Sequence, residues 1–401
     1  MSRPRLLVLA STFPATADDG TPAFVRDLAT HEATEFDTVV LVPRVPGAPR
    51  TETGAAIVVE RFRYFPRRWE DLADGAILEN LRRRRSRWLQ VVPFLVGETF
   101  ALRRAVRRHR PDVLHVHWIV PQGVAALLAA RSVPWLVTTL GGDVYALKDP
   151  VSRRLKRAVL RRAGAVTAMN TEMTARLVAQ GAPAGATYVL PMGADVETVR
   201  AAGAGVERVP GRILFVGRLV EKKGLAVLLR ALRSVTIPPG QAPPGAPGWS
   251  LEVVGDGPLR QSLERAAEGL PVTFLGALPR TELAKAYARS EVVAVPSVTA
   301  ASGDQDGLPV ALLEAMAAGC AVVGSRIAGI DAAVVDGESG VLVPPGDEAA
   351  LAAALTALLS DPDRRAKLGA AARTRADDFS VASIGERYCT LLREVAAQGR
   401  R

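Results

Sequence analysis

The stretch Arg212-Ile-Leu-Phe-Val-Gly-Arg-Leu-Val-Glu-Lys-Lys-Gly224, continued by Leu225-Ala-Val-Leu-Leu-Arg-Ala-Leu232, holds one complete strand–turn–helix unit. Arg212–Val216 is a short β-rich run, Gly217 opens a turn, and from about Gly224 to Leu232 the apolar spacing becomes helical. The same alternation runs along the chain. Strand candidates are Leu6–Ala10, Thr38–Val42, Val113–His117, Trp135–Thr139 and Ala165–Ala168, then Arg212–Val216, Leu251–Val254, Val272–Leu275, Val292–Val295 and Ala321–Ser325. Short apolar runs separated by helix-length intervals predict βαβ units and a doubly wound α/β architecture with parallel sheets.

Length sets the number of such layers. At 401 residues the chain exceeds one ordinary core and suits two domains of ~200 residues each. The strand pattern pauses over Asp195–Pro210, which predicts a boundary between domains at 1–198 and 199–380. Ile237–Ser250, punctuated by Pro-Pro-Gly twice and Pro-Gly once, predicts a surface loop. Hydrophobic residues at 48% and charged residues at 23% exclude wholesale disorder. Two cysteines, Cys320 and Cys389, exclude a disulfide scaffold, and four histidines argue against a metal cluster. No run approaches the ~20 apolar residues of a spanning helix. The N-terminal apolar run is too short for a secretory signal, so a cytoplasmic protein is expected.

In doubly wound sheets ligands sit outside the carboxyl ends of the strands, which directs attention to the loops there. Arg218 and Lys223 bracket a helix start, where cations oppose the helix dipole. Either a diphosphate lies between them or they form a solvated basic turn. In Gly303-Asp-Gln-Asp-Gly-Leu-Pro-Val-Ala-Leu-Leu-Glu-Ala-Met-Ala-Ala-Gly319, every residue from Val310 to Ala318 except Glu314 is apolar. A carboxylate inside a buried helix needs a hydrogen-bonding partner. Asp306 and Glu314 either hold sugar hydroxyls beside a phosphate at the helix N-terminus, or serve as an acidic cap and an internally satisfied Glu. Leu251-Glu-Val-Val-Gly-Asp-Gly-Pro-Leu-Arg260 is a further strand and glycine turn, and Gly255-Asp-Gly257 is only a weak dinucleotide signal.

In the first half, period-2 spacing puts His115 and His117 on one face of a strand, with His117 at its carboxyl end. Gly141-Gly-Asp143 closes another strand and offers Asp143 to the same side; the polar first loop, Phe13–Gly20, also follows a strand. The net charge of +10 predicts acidic partners. Arg82–Arg85 and Arg87 precede an apolar patch around Trp88, and Arg103, Arg104, Arg107 and Arg108 follow it. This pattern suits either an anionic membrane surface or a solvated helix face; no pattern for nucleic-acid binding accompanies it.

Taken in order, the pieces resemble family-4 retaining glycosyltransferases of the GT-B fold. They are His-Val-His at 115–117, Leu-Gly-Gly-Asp at 140–143, Leu-Pro-Met-Gly-Ala-Asp at 190–195 and Gly-Arg-Leu-Val-Glu-Lys-Lys-Gly at 217–224. Val-Gly-Asp-Gly-Pro-Leu at 254–259, Val-Thr-Phe-Leu-Gly at 272–276, Asp306 through Gly319 and Asp336 through Gly346 complete the series. The resemblance implies two Rossmann-like domains facing across a cleft, with a closing segment at 381–401 whose helix, near Ala382–Ala397, crosses back to the first. It implies a nucleoside-diphosphate sugar as co-substrate, with no cofactor and no metal. Arg218 and Lys223 would bind the diphosphate, Glu314 the ribose and Asp306 the transferred sugar. Gly217, Gly255, Leu275, Gly307, Leu308 and Pro309 would line the donor site. His117 would lie near the reacting carbon, with Gly20 and Asp143 on the acceptor side. The acceptor would be a lipid-linked saccharide at the inner face of a membrane or a small natural product. The family's Glu-x7-Glu is here Asp306-x7-Glu314, shorter by one methylene at the sugar end; Leu140 stands where many relatives have His, and Asp18-Asp-Gly-Thr21 replaces paired glycines. A nucleotide-sugar epimerase of similar architecture and a nucleotide-binding scaffold are the competing functions.

Overall fold

The computed structural model describes residues 3–399 apart from 17–22, 76, 78–79, 82–83, 148, 238–247 and 328. The chain divides into one unit of Met1–Gly193 with Val381–Arg401 and a second of Ala194–Ser380. The division at Gly193 falls slightly ahead of position 198, because Val196–Ala202 is a helix packed within the second unit.

The first unit is built on β1 (Arg5–Leu9), β2 (Asp37–Pro43), β3 (Thr51–Thr53), β4 (Ile57–Phe62), β5 (Val113–His117), β6 (Trp135–Thr138), β7 (Ala165–Ala168) and β8 (Thr187–Val189). Among the described residues these form one sheet in the order β3-β4-β2-β1-β5-β6-β7-β8. All pairs are parallel except β3 with β4. The chain moves outward from β1 through β2 and β4, then returns to β1's other side as β5. That reversal opens a crevice at the carboxyl ends of β1 and β5, where His117 ends its strand. The last helix, Val381–Gln398, belongs to this unit; it buries Tyr388, whose hydroxyl donates to the Leu190 carbonyl at 2.9 Å.

The second unit carries β9 (Arg212–Val216), β10 (Ser250–Val254), β11 (Val272–Gly276), β12 (Val292–Val295), β13 (Ala321–Ser325) and β14 (Val341–Val343), in the order β11-β10-β9-β12-β13-β14. All the pairs are parallel, and the reversal lies between β9 and β12. One face packs on helices Leu225–Leu232 and Glu348–Leu359 through Phe215, Leu228 and Leu355. The other packs on Arg280–Arg289 and Val310–Ala317 through Leu214, Tyr287 and Leu312. Central strands β12 and β13 are buried throughout, which is why they read as unbroken apolar runs, whereas edge strand β11 alternates. β3, β8 and β14, of three residues each, offer no run long enough to be seen in the sequence; β4 was also unforeseen. Most of the loop at 237–250 lies outside the described residues.

Candidate functional site

In the second unit the reversal between β9 and β12 brings two distant loops together. After β9, the Gly217 amide donates to the Val254 carbonyl at 3.0 Å, and Glu221–Lys223 form a short 3-10 turn. Gly224 then takes φ = +70° with its Cα against the Pro296 carbonyl, where any side chain would collide. The loop after β12 is stitched to this turn. The Val298 amide donates to the Lys222 carbonyl, and the Ala301 amide to Glu221 Oε1, both at 2.9 Å. Gly255, at φ = +127°, leaves no room for a side chain against the Gly217 carbonyl.

These constraints set the charges. Lys223 Nζ lies 2.8 Å from Asp306 Oδ2, and the Ser297 hydroxyl donates to the same oxygen at 3.1 Å. Lys222 Nζ reaches Asp304 at 3.2 Å and Asp306 Oδ1 at 3.7 Å. Burial alone would raise Asp306, but Lys223, Lys222 and Ser297 together hold its carboxyl below the usual aspartate range. Lys223 therefore has a built-in anionic partner, and the basic turn is stable without a phosphate. Arg218 is half-buried beside Gly217.

Pro309 caps Val310–Ala317 in an extended conformation, and no side chain caps this N-terminus. Its amides are therefore suited to an anion. Gly307 and Leu308 lead into it, with the Gly307 carbonyl packed against Gly329, where any side chain would collide. Glu314 is half-buried rather than enclosed, because the helix turns that position toward the edge of its packed face. The partner that its setting demanded is the Tyr287 hydroxyl, which donates to Oε2 at 2.9 Å. Burial first, then the charge of Glu314, pushes Tyr287 well above its ordinary range, so it remains a donor. Leu275 lies on edge strand β11, partly exposed.

In the first unit His115 and His117 are both buried and stack with ring centroids 4.2 Å apart. His115 Nδ1 meets Glu32 Oε1 at 2.6 Å and Nε2 meets Thr138 Oγ1 at 2.7 Å. Thr167 continues the network from Thr138 to Tyr388. Burial drives His115 down to about 3 and His117 well below 6.5, which favours the neutral imidazoles, and it raises Glu32. His115 is fully partnered; His117 Nδ1 is buried with no hydrogen-bond partner among the described residues. Asp143, expected to present its carboxylate, is instead buried and accepts from the Ile119 and Leu140 amides at 3.0 and 3.2 Å. Those amides need an acceptor because the backbone bends sharply after β5 and β6, so Asp143 pins two loops. Gly20 lies outside the described residues. Among the described residues no three His, Cys, Asp or Glu side chains gather in a way that would hold a metal, and no helix is long and apolar enough to cross a membrane.

Ser297, Lys222 and Tyr287 were not singled out in the sequence. Ser297 follows a strand end, a readable signal; Tyr287 sits within a helix and only the packing gives it a role.

Comparison with known proteins bears on the family and the fold. The family described as "Glycosyl transferase 4-like domain" matches residues 19–193, and "Glycosyl transferases group 1" matches residues 210–361. The GDP-mannose-dependent alpha-(1-6)-phosphatidylinositol monomannoside mannosyltransferase of Mycolicibacterium smegmatis is 29% identical over 73% of this chain and 78% of its own. A glycogen synthase of Mycobacterium tuberculosis is 30% identical over 69% and 67%. Among solved structures, sucrose-phosphate synthase from Thermosynechococcus elongatus superposes with a TM-score of 0.77 at 22% identity, covering 99% of this chain and 100% of that one. The Anabaena protein HepE, in complex with UDP-glucose, gives 0.68 at 19% identity over 97% and 99%.

Proposed function

The chain belongs to the family-4, group 1 glycosyltransferases of the GT-B fold, and from that premise we propose that it moves a sugar from a nucleoside-diphosphate donor to an acceptor hydroxyl, retaining anomeric configuration and needing no metal. The observation that carries this reading is the contact of Lys223 with Asp306 at the carboxyl ends of β9 and β12, beside the uncapped helix that bears Glu314. A cation, a carboxylate and a row of amides in one crevice match the three parts of a sugar diphosphate.

Arg218 grips the diphosphate in bidentate fashion and Lys223 supplies a point charge, so the charge developing on the leaving group meets fixed cations. Asp306, kept ionised, accepts hydrogen bonds from hydroxyls of the transferred sugar. Glu314, oriented by Tyr287, holds the ribose. Gly217, Gly255, Gly307 and Leu308 give backbone close approach, Pro309 opens the helix, and Leu275 borders the nucleotide. The C1–O bond to phosphate breaks as the acceptor oxygen bonds to C1 on the same face, and the acceptor's proton passes to the departing phosphate oxygen. His117, neutral with an unpartnered ring nitrogen, is assigned to hydrogen bonding with substrate hydroxyls rather than to acid catalysis.

The test is turnover of a donor panel by the folded protein with and without chelator, with the product's anomeric configuration read by NMR. Glu314→Ala should lower transfer by roughly ten- to a thousandfold. Near-wild-type turnover in that variant sinks the assignment, and a new nucleotide sugar formed without acceptor would favour an epimerase.

A further inference from the structure

The start of the helix Val91–His109 is joined to the segment 64–75 by contacts no sequence spacing announces. Asp71 takes Arg87 at 2.8 Å through one carboxylate oxygen and Gln90 at 2.8 Å through the other. The Tyr64 and Phe94 rings meet edge-on at 4.9 Å beneath. Trp69 lies two residues before Asp71 and Trp88 is the neighbour of Arg87, so the clamp joins the segments that carry them, and both indoles stand more than half exposed. From Trp88 the exposed side runs on through Leu89, Val92, Val96 and Phe100, most of them about 70% exposed and repeating at helical spacing. The opposite side, Phe94, Glu98, Leu102 and Ala105, is buried. Arginines frame the ridge: Arg84 and Arg85 at its start, Arg68 stacked 4.0 Å over Trp69, and Arg103, Arg104 and Arg107 along its end, the last three exposed. Over 19 residues the helix is about 28 Å long, enough to lie along a surface.

A contiguous exposed ridge that is apolar in the middle and cationic at both ends, with indoles at its rim, marks an interaction surface. We propose that this face docks in the interface plane of an anionic lipid bilayer, the ridge inserted among acyl chains and the arginines on lipid phosphates. A free phosphate compound would satisfy the arginines but leave the ridge wet. A second copy of the chain would set arginines against arginines. The inference goes beyond the proposed transferase activity and does not rest on it.

The test is co-sedimentation of the full chain with phosphatidylcholine vesicles, with and without phosphatidylglycerol, at low and high salt. Binding is expected only with phosphatidylglycerol, weakened by salt, with tryptophan emission shifted to the blue. Trp88→Ser with Phe100→Ser should abolish the insertion. Arg103→Gln with Arg107→Gln should weaken binding on the order of 25-fold, since each cation near an anionic leaflet is worth roughly fivefold. All four sites are exposed, and an unchanged thermal melt in each variant confirms the fold. Absence of binding to anionic vesicles at low salt overturns the proposal. So does binding that these substitutions leave unchanged, or a dimer in sedimentation velocity that the serine variant dissolves.

Discussion

Removing Lys223 and removing its partner should have opposite consequences for nucleotide binding. Lys223 Nζ is held 2.8 Å from Asp306, a carboxylate 8% exposed, with Ser297 on the same oxygen. On the proposed reading a diphosphate draws on that cation. A charge-assisted hydrogen bond to phosphate is worth about 1.5–3 kcal/mol, so Lys223→Met should weaken a nucleoside diphosphate by roughly 10- to 150-fold. The assay is thermal stabilisation. At ~100 times its dissociation constant, a nucleotide adds about 2.7 kcal/mol to the wild type. The same concentration adds only about 0.4 kcal/mol to a variant bound 100-fold more weakly. For a domain of this size those correspond to shifts of roughly 5–10 °C and about 1 °C. Asp306→Asn removes the competing anion instead, so the shift with nucleotide should match or exceed the wild type while sugar transfer collapses. If Asp306→Asn loses the nucleotide shift as fully as Lys223→Met, or Lys223→Met keeps it, the division of labour between the two residues is refuted.

Tyr287→Phe deletes the hydroxyl that donates to Glu314, at about 1 kcal/mol, so kcat/KM should fall roughly fivefold with little change in melting temperature; an unchanged kcat/KM would detach Tyr287 from the site. His117 is held well below 6.5 by burial, so the transfer rate should show no inflection near 6.5 that His117→Ala removes, even as that variant loses on the order of ten- to a hundredfold in rate. Glu98, buried against Gln122 at 3.1 Å, has its carboxyl pushed by burial up to about 8. A carboxyl raised in the folded state contributes its full stability below the ordinary value of 4.5, and that contribution is lost as pH rises through about 8. Glu98→Gln keeps the shape and pairs the orphaned Gln122 oxygen, so it should raise unfolding free energy near neutral pH by about 1–3 kcal/mol and flatten the decline over that window. Urea unfolding in which the two proteins fall in parallel with pH would contradict this.

The strand–turn–helix units were legible because each is local. Val292–Val295 and Ala321–Ser325 are buried on both faces, so their sequences had to be continuous apolar runs. Glycines and strand ends likewise marked the turns at Gly217 and Gly255. The three-residue strands Thr187–Val189 and Val341–Val343 leave no mark in the sequence because so short a run needs no distinctive composition. The setting of Asp143 is illegible for a related reason. Its position after a strand was readable, but its engagement by the Ile119 and Leu140 amides depends on how two loops bend.

What the sequence determined by itself was the pair of layered α/β units, the family, and the residue types at the strand ends, all of which follow from periods of two and 3.6 residues and from short ordered motifs. What only the tertiary structure decided was partnership. Lys223 with Asp306, Tyr287 with Glu314, His115 with Glu32, and Asp71 with Arg87 join residues on separate elements. Charge and hydrogen bonding act over a few ångströms of space, and sequence reports proximity only along the chain; the choice of which carboxylate answers which cation is made when the parallel sheet changes its winding direction and distant loops meet at its edge.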